Sequence, residues 1–187
     1  MSNIIENDNN EIFVGSERFV TLLSAQQIQD RIKELAVQIS KDYNGKLPIL
    51  IGVLNGSFIF LSDLVKKINI HIEIDFFKLS SYGDAKISSG DVKLIKELNA
   101  DINERHVIIV EDIVDTGLSI QFIKDILKNY RPASVKIASL LVKPESLKYK
   151  AKIDYIGFEI PNRFVIGYGL DYAQKFRNLN SIYALSE

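Results

Sequence analysis

The apolar positions of this chain follow two alternating patterns, short continuous runs and stripes at helical spacing. Residues 47–54, 107–110 and 134–142 are almost uninterrupted apolar runs, which is typical of strands covered on both faces. Between these runs the spacing predicts helices. One apolar stripe begins after Ser24 and Gln27, which together predict a capping box, and consists of Ile28, Ile32, Leu35, Ala36 and Ile39.

Two further helices are predicted over residues 58–67 and 118–130. In the first, Phe58, Leu61 and Val65 are expected to face the core. Strands that alternate with helices predict an α/β domain with a doubly wound, mostly parallel sheet flanked by helices. Ligands of such a sheet bind beyond the carboxyl ends of its strands.

The pattern changes after residue 143, where β-type segments follow one another without a helix between them. Residues 153–160, 163–168 and 182–185 predict a small β-rich hood, which could also recruit the N-terminal segment. We therefore expect a single domain over 1–187, with a loose tail (1–11), a core (about 12–143) and a hood (about 144–187). Residues 80–90 have no core-forming pattern and predict a mobile loop, after which residues 92–98 could return as a strand.

Composition narrows the classes of function. The 187 residues are 47% hydrophobic, enough for one good core, and the formal net charge of -1 provides no basic surface for nucleic acid or anionic membrane. The absence of cysteine excludes disulfides, thiolate metal sites and cysteine nucleophiles. With no signal-like N-terminus and no apolar run of about 20 residues, a cytoplasmic protein with a small-molecule partner is expected.

The most informative segment is residues 107–119, where an apolar strand runs into a group of carboxylates and a small-residue turn. Glu111, Asp112 and Asp115 come at the strand end, and the next helix begins beside Thr116-Gly117-Leu118-Ser119. The unpaired N–H groups and the dipole of a helix N-terminus favour an anion, and Thr, Gly and Ser offer hydroxyls and close backbone approach. The turn is therefore a candidate phosphate cradle.

Glu111 and Asp112 need a different partner, because carboxylates repel phosphate unless a metal or a set of hydroxyls lies between them. Ribose hydroxyls donate to carboxylates, and Mg²⁺ commonly binds one or two carboxylates together with substrate phosphates. A phosphorylated sugar with Mg²⁺ fits both requirements.

This thirteen-residue block resembles the phosphoribosyl-pyrophosphate signature of type I phosphoribosyltransferases. Two other interpretations fit part of this segment. Asp115-Thr116-Gly117 is also the aspartic-protease tripeptide, but that chemistry needs an all-β setting and a partner aspartate. The other is an acidic strand end followed by a solvated loop without function.

Three further segments narrow the resemblance to the hypoxanthine (6-oxopurine) phosphoribosyltransferases, from about residue 11 onward. Leu54, Asn55 and Gly56 look like the family's pyrophosphate loop, in which an unusual peptide geometry turns backbone N–H groups to the diphosphate. Many members carry Lys where Asn55 stands, and an ordinary Asn-Gly turn is the alternative.

The other two segments resemble the parts of the family that read the purine. By this resemblance Lys143 donates to the six-position oxygen of the base, although a strand-end lysine is by type more often solvated. In the block 158–172, which has Arg163 where members often have Lys, Phe164 would stack on the purine and the Val165 backbone would read its edge. Asp171 would help to hold Mg²⁺, and Arg177 would pair with pyrophosphate. Tyr168 and Tyr172 are expected in the core.

The resemblance implies purine salvage, in which 5-phosphoribosyl passes from phosphoribosyl pyrophosphate to hypoxanthine and guanine and gives IMP or GMP plus pyrophosphate. Asp115 would be the general base, Glu111 and Asp112 would hold ribose and Mg²⁺, and Ser81 and Tyr82 would belong to a closing lid. A homodimer or homotetramer is implied, and the choice among hypoxanthine, guanine and xanthine stays open. The alternative is a regulator that senses phosphoribosyl pyrophosphate and binds nucleic acid, against which the near-neutral charge argues.

Overall fold

The computed structural model describes residues 6–7, 11–81, 92–96, 98–149 and 152–186. Their elements, in chain order, are β1 (Glu6–Asn7), β2 (Glu11–Val14), β3 (Glu17–Leu23), α1 (Ala25–Asp42), β4 (Ile49–Leu54), α2 (Phe58–Val65), β5 (Glu73–Ser81), β6 (Val92–Lys96), β7 (His106–Val114), α3 (Leu118–Leu127), a 3-10 turn (Lys128–Tyr130), β8 (Ser134–Val142), a second 3-10 turn (Pro144–Ser146), β9 (Tyr155–Glu159), β10 (Val165–Ile166) and β11 (Ile182–Leu185).

Six of these strands form the core sheet, in the order β6-β5-β4-β7-β8-β9. All neighbours are parallel except β5 and β6, which are antiparallel. From β4 the chain moves outward to β5, and it later returns to the other side of β4 as β7. The switch of direction therefore lies between β4 and β7, where open α/β sheets bind ligands.

Strand β7 is buried on both faces because successive side chains point to opposite sides of the sheet. Ile108 and Val110 pack with α1 and α2, whereas Val107 and Ile109 pack with α3 on the other face. All five stripe positions of α1 are buried, and Ser24 and Gln27 make the predicted capping box. The predicted doubly wound fold is confirmed.

The inward face of α2 agrees with the prediction at two of three positions. Leu61 is buried and Val65 packs against the core, but Phe58 is 46% exposed, and Phe60 and Leu64 are buried instead. The segment is apolar on nearly all sides, so its periodicity fits two registers, and only packing against the sheet decides between them.

The second sheet is the predicted hood. Its order is β1-β2-β3-β11-β10, and all its pairs are antiparallel. The N-terminal segment thus supplies three of its five strands. Of the predicted loose tail, Glu6–Asn7 and Glu11 lie in strands, and residues 1–5 and 8–10 lie outside the described residues. The hood has a buried cluster of its own, which consists of Ile12, Phe19, Ile166, Phe176, Leu179 and Tyr183.

The boundaries of core and hood differ from those predicted. Strand β9 pairs in parallel with β8 and forms an edge of the core sheet, although residues 153–160 were assigned to the hood. Residues 12–23, assigned to the core, lie in the hood. The prediction for β9 rested on the lack of a helix after β8. The described part of this crossover indeed contains only the 3-10 turn Pro144–Ser146, and β9 nevertheless pairs in parallel with β8.

Strand β6 agrees with the predicted return of the chain after the mobile loop. The loop itself, predicted over residues 80–90, falls almost entirely outside the described residues. Among the described helices, none is long and apolar enough to cross a membrane.

Candidate active site

The loops that follow β4 and β7 touch each other at the switch point of the sheet. The Leu54–Asn55 peptide is cis, and Gly56 comes directly after it. A Cβ atom added to Gly56 would lie 1.6 Å from Asp112 Oδ2. The predicted pyrophosphate loop and the predicted sugar-binding carboxylate are thus in contact, and only glycine fits between them.

Glu111 and Asp112 are carboxylates in an apolar strand end. Glu111 is 5% exposed, and its burial, together with the charge of Asp112, raises the pKa of Glu111 well above its usual value. Burial also raises the pKa of Asp112 to about 6, although the Ile113 N–H at 2.9 Å and the charge of Arg177 oppose the shift. A bound cation or hydroxyl donors would lower the cost of ionising both groups.

Asp115 and Lys143 form an ion pair, with 2.9 Å between Asp115 Oδ2 and Lys143 Nζ. Lys143 follows β8, is buried, and donates its backbone N–H to Val114 at the end of β7. Asp115 is more open, with 45% of its side chain exposed. The candidate base, Asp115, and the candidate reader of the purine oxygen, Lys143, are therefore in direct contact.

The turn between β7 and α3 has the features of an anion cradle. Gly117 is the N-cap of α3 with φ of 82°, and because it has no side chain it cannot cap the helix itself. The Thr116 hydroxyl accepts the N–H of Leu118 at 3.4 Å. No acidic residue occupies the first turn of α3, so the helix dipole there is not neutralised by a carboxylate. The Thr116 carbonyl accepts the N–H groups of Lys148 and Tyr149, each at 3.1 Å, so the segment after β8 supports the turn. Leu118 and Ser119 begin the helix and are half-buried.

The hood contributes an aromatic ring and a basic group. Phe164 is 42% exposed and meets Phe19 and Tyr172 edge-on, with centroid distances of 6.3 and 5.5 Å, while Val165 beside it is buried. Arg177 Nη2 lies 2.6 Å from Asp171 Oδ1. The predicted Mg²⁺ ligand and the predicted pyrophosphate-binding residue are therefore paired with each other.

Comparison with known proteins agrees with this geometry. Residues 21–173 match the family described as phosphoribosyl transferase domain. The hypoxanthine-guanine phosphoribosyltransferase of Streptococcus pneumoniae (strain R6) is 48% identical, over 89% of this chain and 92% of that protein. The chain belongs to the hypoxanthine-guanine phosphoribosyltransferase family.

A solved relative supports the same assignment. The crystal structure of a hypoxanthine-guanine phosphoribosyltransferase from Bacillus anthracis is 43% identical and has a TM-score of 0.84, over 89% of this chain and 98% of that one. The chain is also 43% identical, over 84% of its residues, to the bifunctional protein TilS/HprT of Listeria monocytogenes (strain F2365), but spans only 24% of that protein's length. The regulator hypothesis receives no support from these relatives.

Several contacts of this phosphoribosyltransferase site could not be read from the sequence. The Asp115–Lys143 pair joins residues 28 positions apart, and the approach of Gly56 to Asp112 joins different loops. The sequence signal was that all of these residues lie at or just after the ends of neighbouring strands. Tyr168 is buried as predicted, whereas Tyr172 is half-buried and borders the hood core.

The predicted closing lid falls almost entirely outside the described residues. Tyr82 lies outside the described residues, and Ser81 is described only as the last residue of β5. Among the residues that the structure describes, no three His, Asp or Glu side chains converge as a metal site. Glu111, Asp112 and Asp171 therefore do not form a ready-made three-carboxylate centre. A buried carboxylate pair still fits Mg²⁺, because this ion takes one or two protein carboxylates and completes its shell with substrate oxygens and water.

Proposed function

We propose that this protein transfers 5-phosphoribosyl from phosphoribosyl pyrophosphate to hypoxanthine and guanine, giving IMP or GMP and pyrophosphate. The carrying observation is the Asp115–Lys143 ion pair, which lies beside both the carboxylates of β7 and the N-terminus of α3 with its glycine N-cap. This arrangement offers a proton acceptor, an oxygen-reading donor and an anion site along one sheet edge.

The backbone N–H groups and hydroxyls of Thr116, Gly117, Leu118 and Ser119 bind the 5-phosphate of the donor in this proposal. The buried carboxylates Glu111 and Asp112 accept hydrogen bonds from the ribose hydroxyls. They also stabilise the positive charge that develops on the sugar when pyrophosphate leaves. On the opposite side, the backbone around Leu54, Asn55 and Gly56 binds the diphosphate together with the guanidinium of Arg177.

Mg²⁺ is the proposed cofactor, held by Glu111 and Asp112 on the sugar side and by Asp171 near the diphosphate. When bound, it neutralises the charge of the leaving pyrophosphate. Binding of Mg²⁺ by Asp171 would compete with its contact to Arg177 and would release the guanidinium toward phosphate oxygens.

The base lies against Phe164 in this proposal, with its edge read by the backbone of Val165. Lys143 donates a hydrogen bond to the six-position oxygen, and Asp115 takes a proton from a ring nitrogen as the base attacks the anomeric carbon. Because lysine has only donors, an amino group at the six position is rejected, which excludes adenine.

Pyrophosphate release tests this function. The protein is mixed with phosphoribosyl pyrophosphate and Mg²⁺ and, in parallel, with hypoxanthine, guanine, xanthine, adenine or uracil. Turnover with a 6-oxopurine and none with adenine is the expected result. Turnover with adenine would contradict the role given to Lys143, and tight donor binding without turnover of any base would contradict the transferase function.

A homodimer or homotetramer and a cytoplasmic location also remain proposals, supported by family membership. Light scattering of the purified protein tests the first, and a monomer at micromolar concentration would contradict it. Cell fractionation tests the second.

A further inference from the structure

Residues 167–169, in the loop after β10, have an unusual backbone. Gly167, Tyr168 and Gly169 have φ values of 95, 49 and 100°. Positive φ is accessible to glycine but unfavourable for tyrosine, so a tyrosine stays there only when its surroundings hold it.

The backbone of this loop lies directly on the predicted pyrophosphate loop. A Cβ atom added to Gly169 would be 2.1 Å from the carbonyl oxygen of Gly56. The carbonyl of Gly169 accepts a hydrogen bond from Arg177 Nη1 at 2.7 Å, and its N–H donates to the Arg177 carbonyl at 2.9 Å. A shift of Gly169 would therefore displace both the backbone of Gly56 and the guanidinium of Arg177.

Tyr168 connects the loop to α2 in the core. Its side chain is buried, and its hydroxyl donates to Asp63 Oδ2 at 2.7 Å. Gln29 of α1 donates to the same carboxylate oxygen at 2.7 Å, and Lys67 donates to Gln29 at 2.8 Å. Burial, the bond to Asp63 and its charge raise the pKa of Tyr168, which keeps the hydroxyl a donor.

Helix α2 begins two residues after Gly56, so the element that carries Asp63 also carries the pyrophosphate loop. The hydrogen bond from Tyr168 to Asp63 therefore attaches the loop 167–169 to the helix that follows Gly56. Tyr168 and Leu170 also pack in the buried cluster that contains Leu61 and Leu64 of α2. The hydroxyl bond adds a directional contact, which fixes the orientation of the loop against Gly56.

We propose that Tyr168 is a positioning residue for the pyrophosphate end of the substrate. Through Asp63 it holds Gly169 against Gly56, and so sets Arg177 and the diphosphate-binding backbone before the donor arrives. This role rests on the proposed function, since it assumes that phosphoribosyl pyrophosphate is the ligand.

Tyr168→Phe tests the role, and the chain offers a matched control in Tyr155→Phe. The Tyr155 hydroxyl is also buried, donates to Asp42 Oδ2 at 2.7 Å and accepts from Lys136 Nζ at 3.1 Å, but it lies at the other end of the sheet. We would measure Tm, the Kd of phosphoribosyl pyrophosphate with Mg²⁺ by calorimetry, and both KM values with hypoxanthine.

Both variants should lose Tm, because each loses one hydrogen bond to a carboxylate. Only Tyr168→Phe should raise the Kd and KM of phosphoribosyl pyrophosphate, by about 3- to 10-fold, as expected for one hydrogen bond transmitted through a loop. The KM of hypoxanthine should change by less than about twofold, because base contacts do not pass through Gly169. Asp63→Asn, which keeps an acceptor oxygen, should raise the donor Kd less than Asp63→Leu.

Equal donor Kd values in the two tyrosine variants would overturn the positioning role, and so would a parallel rise in the KM of hypoxanthine. If the wild type binds the donor and turns over no base, the transferase function fails while the Kd comparison still decides the role of Tyr168. A wild type that binds no donor would overturn both.

Discussion

The pKa values of two aspartates, one at each end of the mostly parallel sheet, are shifted in opposite directions. At the amino end, Asp42 accepts hydrogen bonds from Tyr155 and Lys136, and these contacts lower the pKa of Asp42. At the carboxyl end, burial raises the pKa of Asp112 to about 6. One carboxylate is more stable as an ion in the folded protein than in the unfolded chain, and the other is less stable.

This difference distinguishes the amino end of the sheet, where the charged groups stabilise the fold, from the carboxyl end, which contains the candidate site. At the amino end, Asp42 has two side-chain donors, and Lys136 Nζ also lies over the rings of Tyr43 and Tyr155 at 5.5 and 5.1 Å. At the carboxyl end, the carboxylates of Glu111 and Asp112 are held with raised pKa values, which costs stability when they are ionised. Such a cost is characteristic of sites whose groups are positioned for another molecule.

The largest expected effect is that of Asp115→Asn at the carboxyl end. Turnover with hypoxanthine should fall by about 100-fold or more, because the amide cannot accept the proton of the base. Asparagine keeps an oxygen near Lys143, so the Kd of phosphoribosyl pyrophosphate should change little. The Tm should fall, because the buried ammonium of Lys143 loses its counter-charge. Steady-state kinetics and calorimetry measure the two quantities, and an equal loss of both turnover and donor binding would assign Asp115 a structural role.

Gly56→Ala should destabilise the fold by about 1–3 kcal/mol, because its Cβ would overlap Asp112 and force two loops apart. The donor Kd should rise as well. Gly15→Ala is the control, since its Cβ would meet no atom within 4 Å and only the positive φ of 64° opposes it. Urea unfolding and calorimetry compare them, and unchanged donor binding in Gly56→Ala would argue against a diphosphate site here.

Asp112→Asn should stabilise the protein at pH 7 by about 1–2 kcal/mol, because it removes a charge that is costly to bury. The pKa of Asp112 is about 6 in the folded protein and 3.8 in the unfolded chain. The stability of the wild type therefore falls as the pH rises from about 4 to about 6. The gain should therefore vanish below about pH 4. Unfolding in EDTA at both pH values measures it, and a loss of stability at pH 7 would contradict the raised pKa.

Asp42→Asn is the counterpart with the smallest effect and the opposite sign. It should destabilise by about 0.5–1 kcal/mol at pH 7, a discounted figure because the side chain is 36% exposed. The pKa of Asp42 is lowered, so its contribution is complete above the unfolded value of 3.8 and is lost as the pH falls through the folded value. Unfolding from pH 2 to 7 checks this, and stabilisation at neutral pH would contradict it.

The sequence-based predictions were most accurate for segments whose structure follows from their own local pattern of residues. The apolar strand, the carboxylates and the helix start of residues 106–127 lie in continuous order, and the structure reproduces that order in β7 and α3. The buried stripe of α1 and its capping box followed from spacing alone.

The predictions failed or stopped where the answer depends on another element. The exposure of Phe58 depends on which face of α2 the sheet selects, and the place of β9 depends on a crossover without a predicted helix. The pairing of Asp115 with Lys143 depends on β7 and β8 lying side by side. Such contacts arise from packing across the sheet, which local patterns do not encode.

The hood joins segments from opposite regions of the chain, since Leu23 of β3 pairs with Ile182 of β11. During synthesis the core strands leave the ribosome before β11, so the nascent chain can form its parallel sheet while the hood is still open. Phe164 and Arg177 also emerge late. A ribosome that stalls before residue 182 would therefore leave a chain with an assembled phosphate cradle but without the pairing that closes the site.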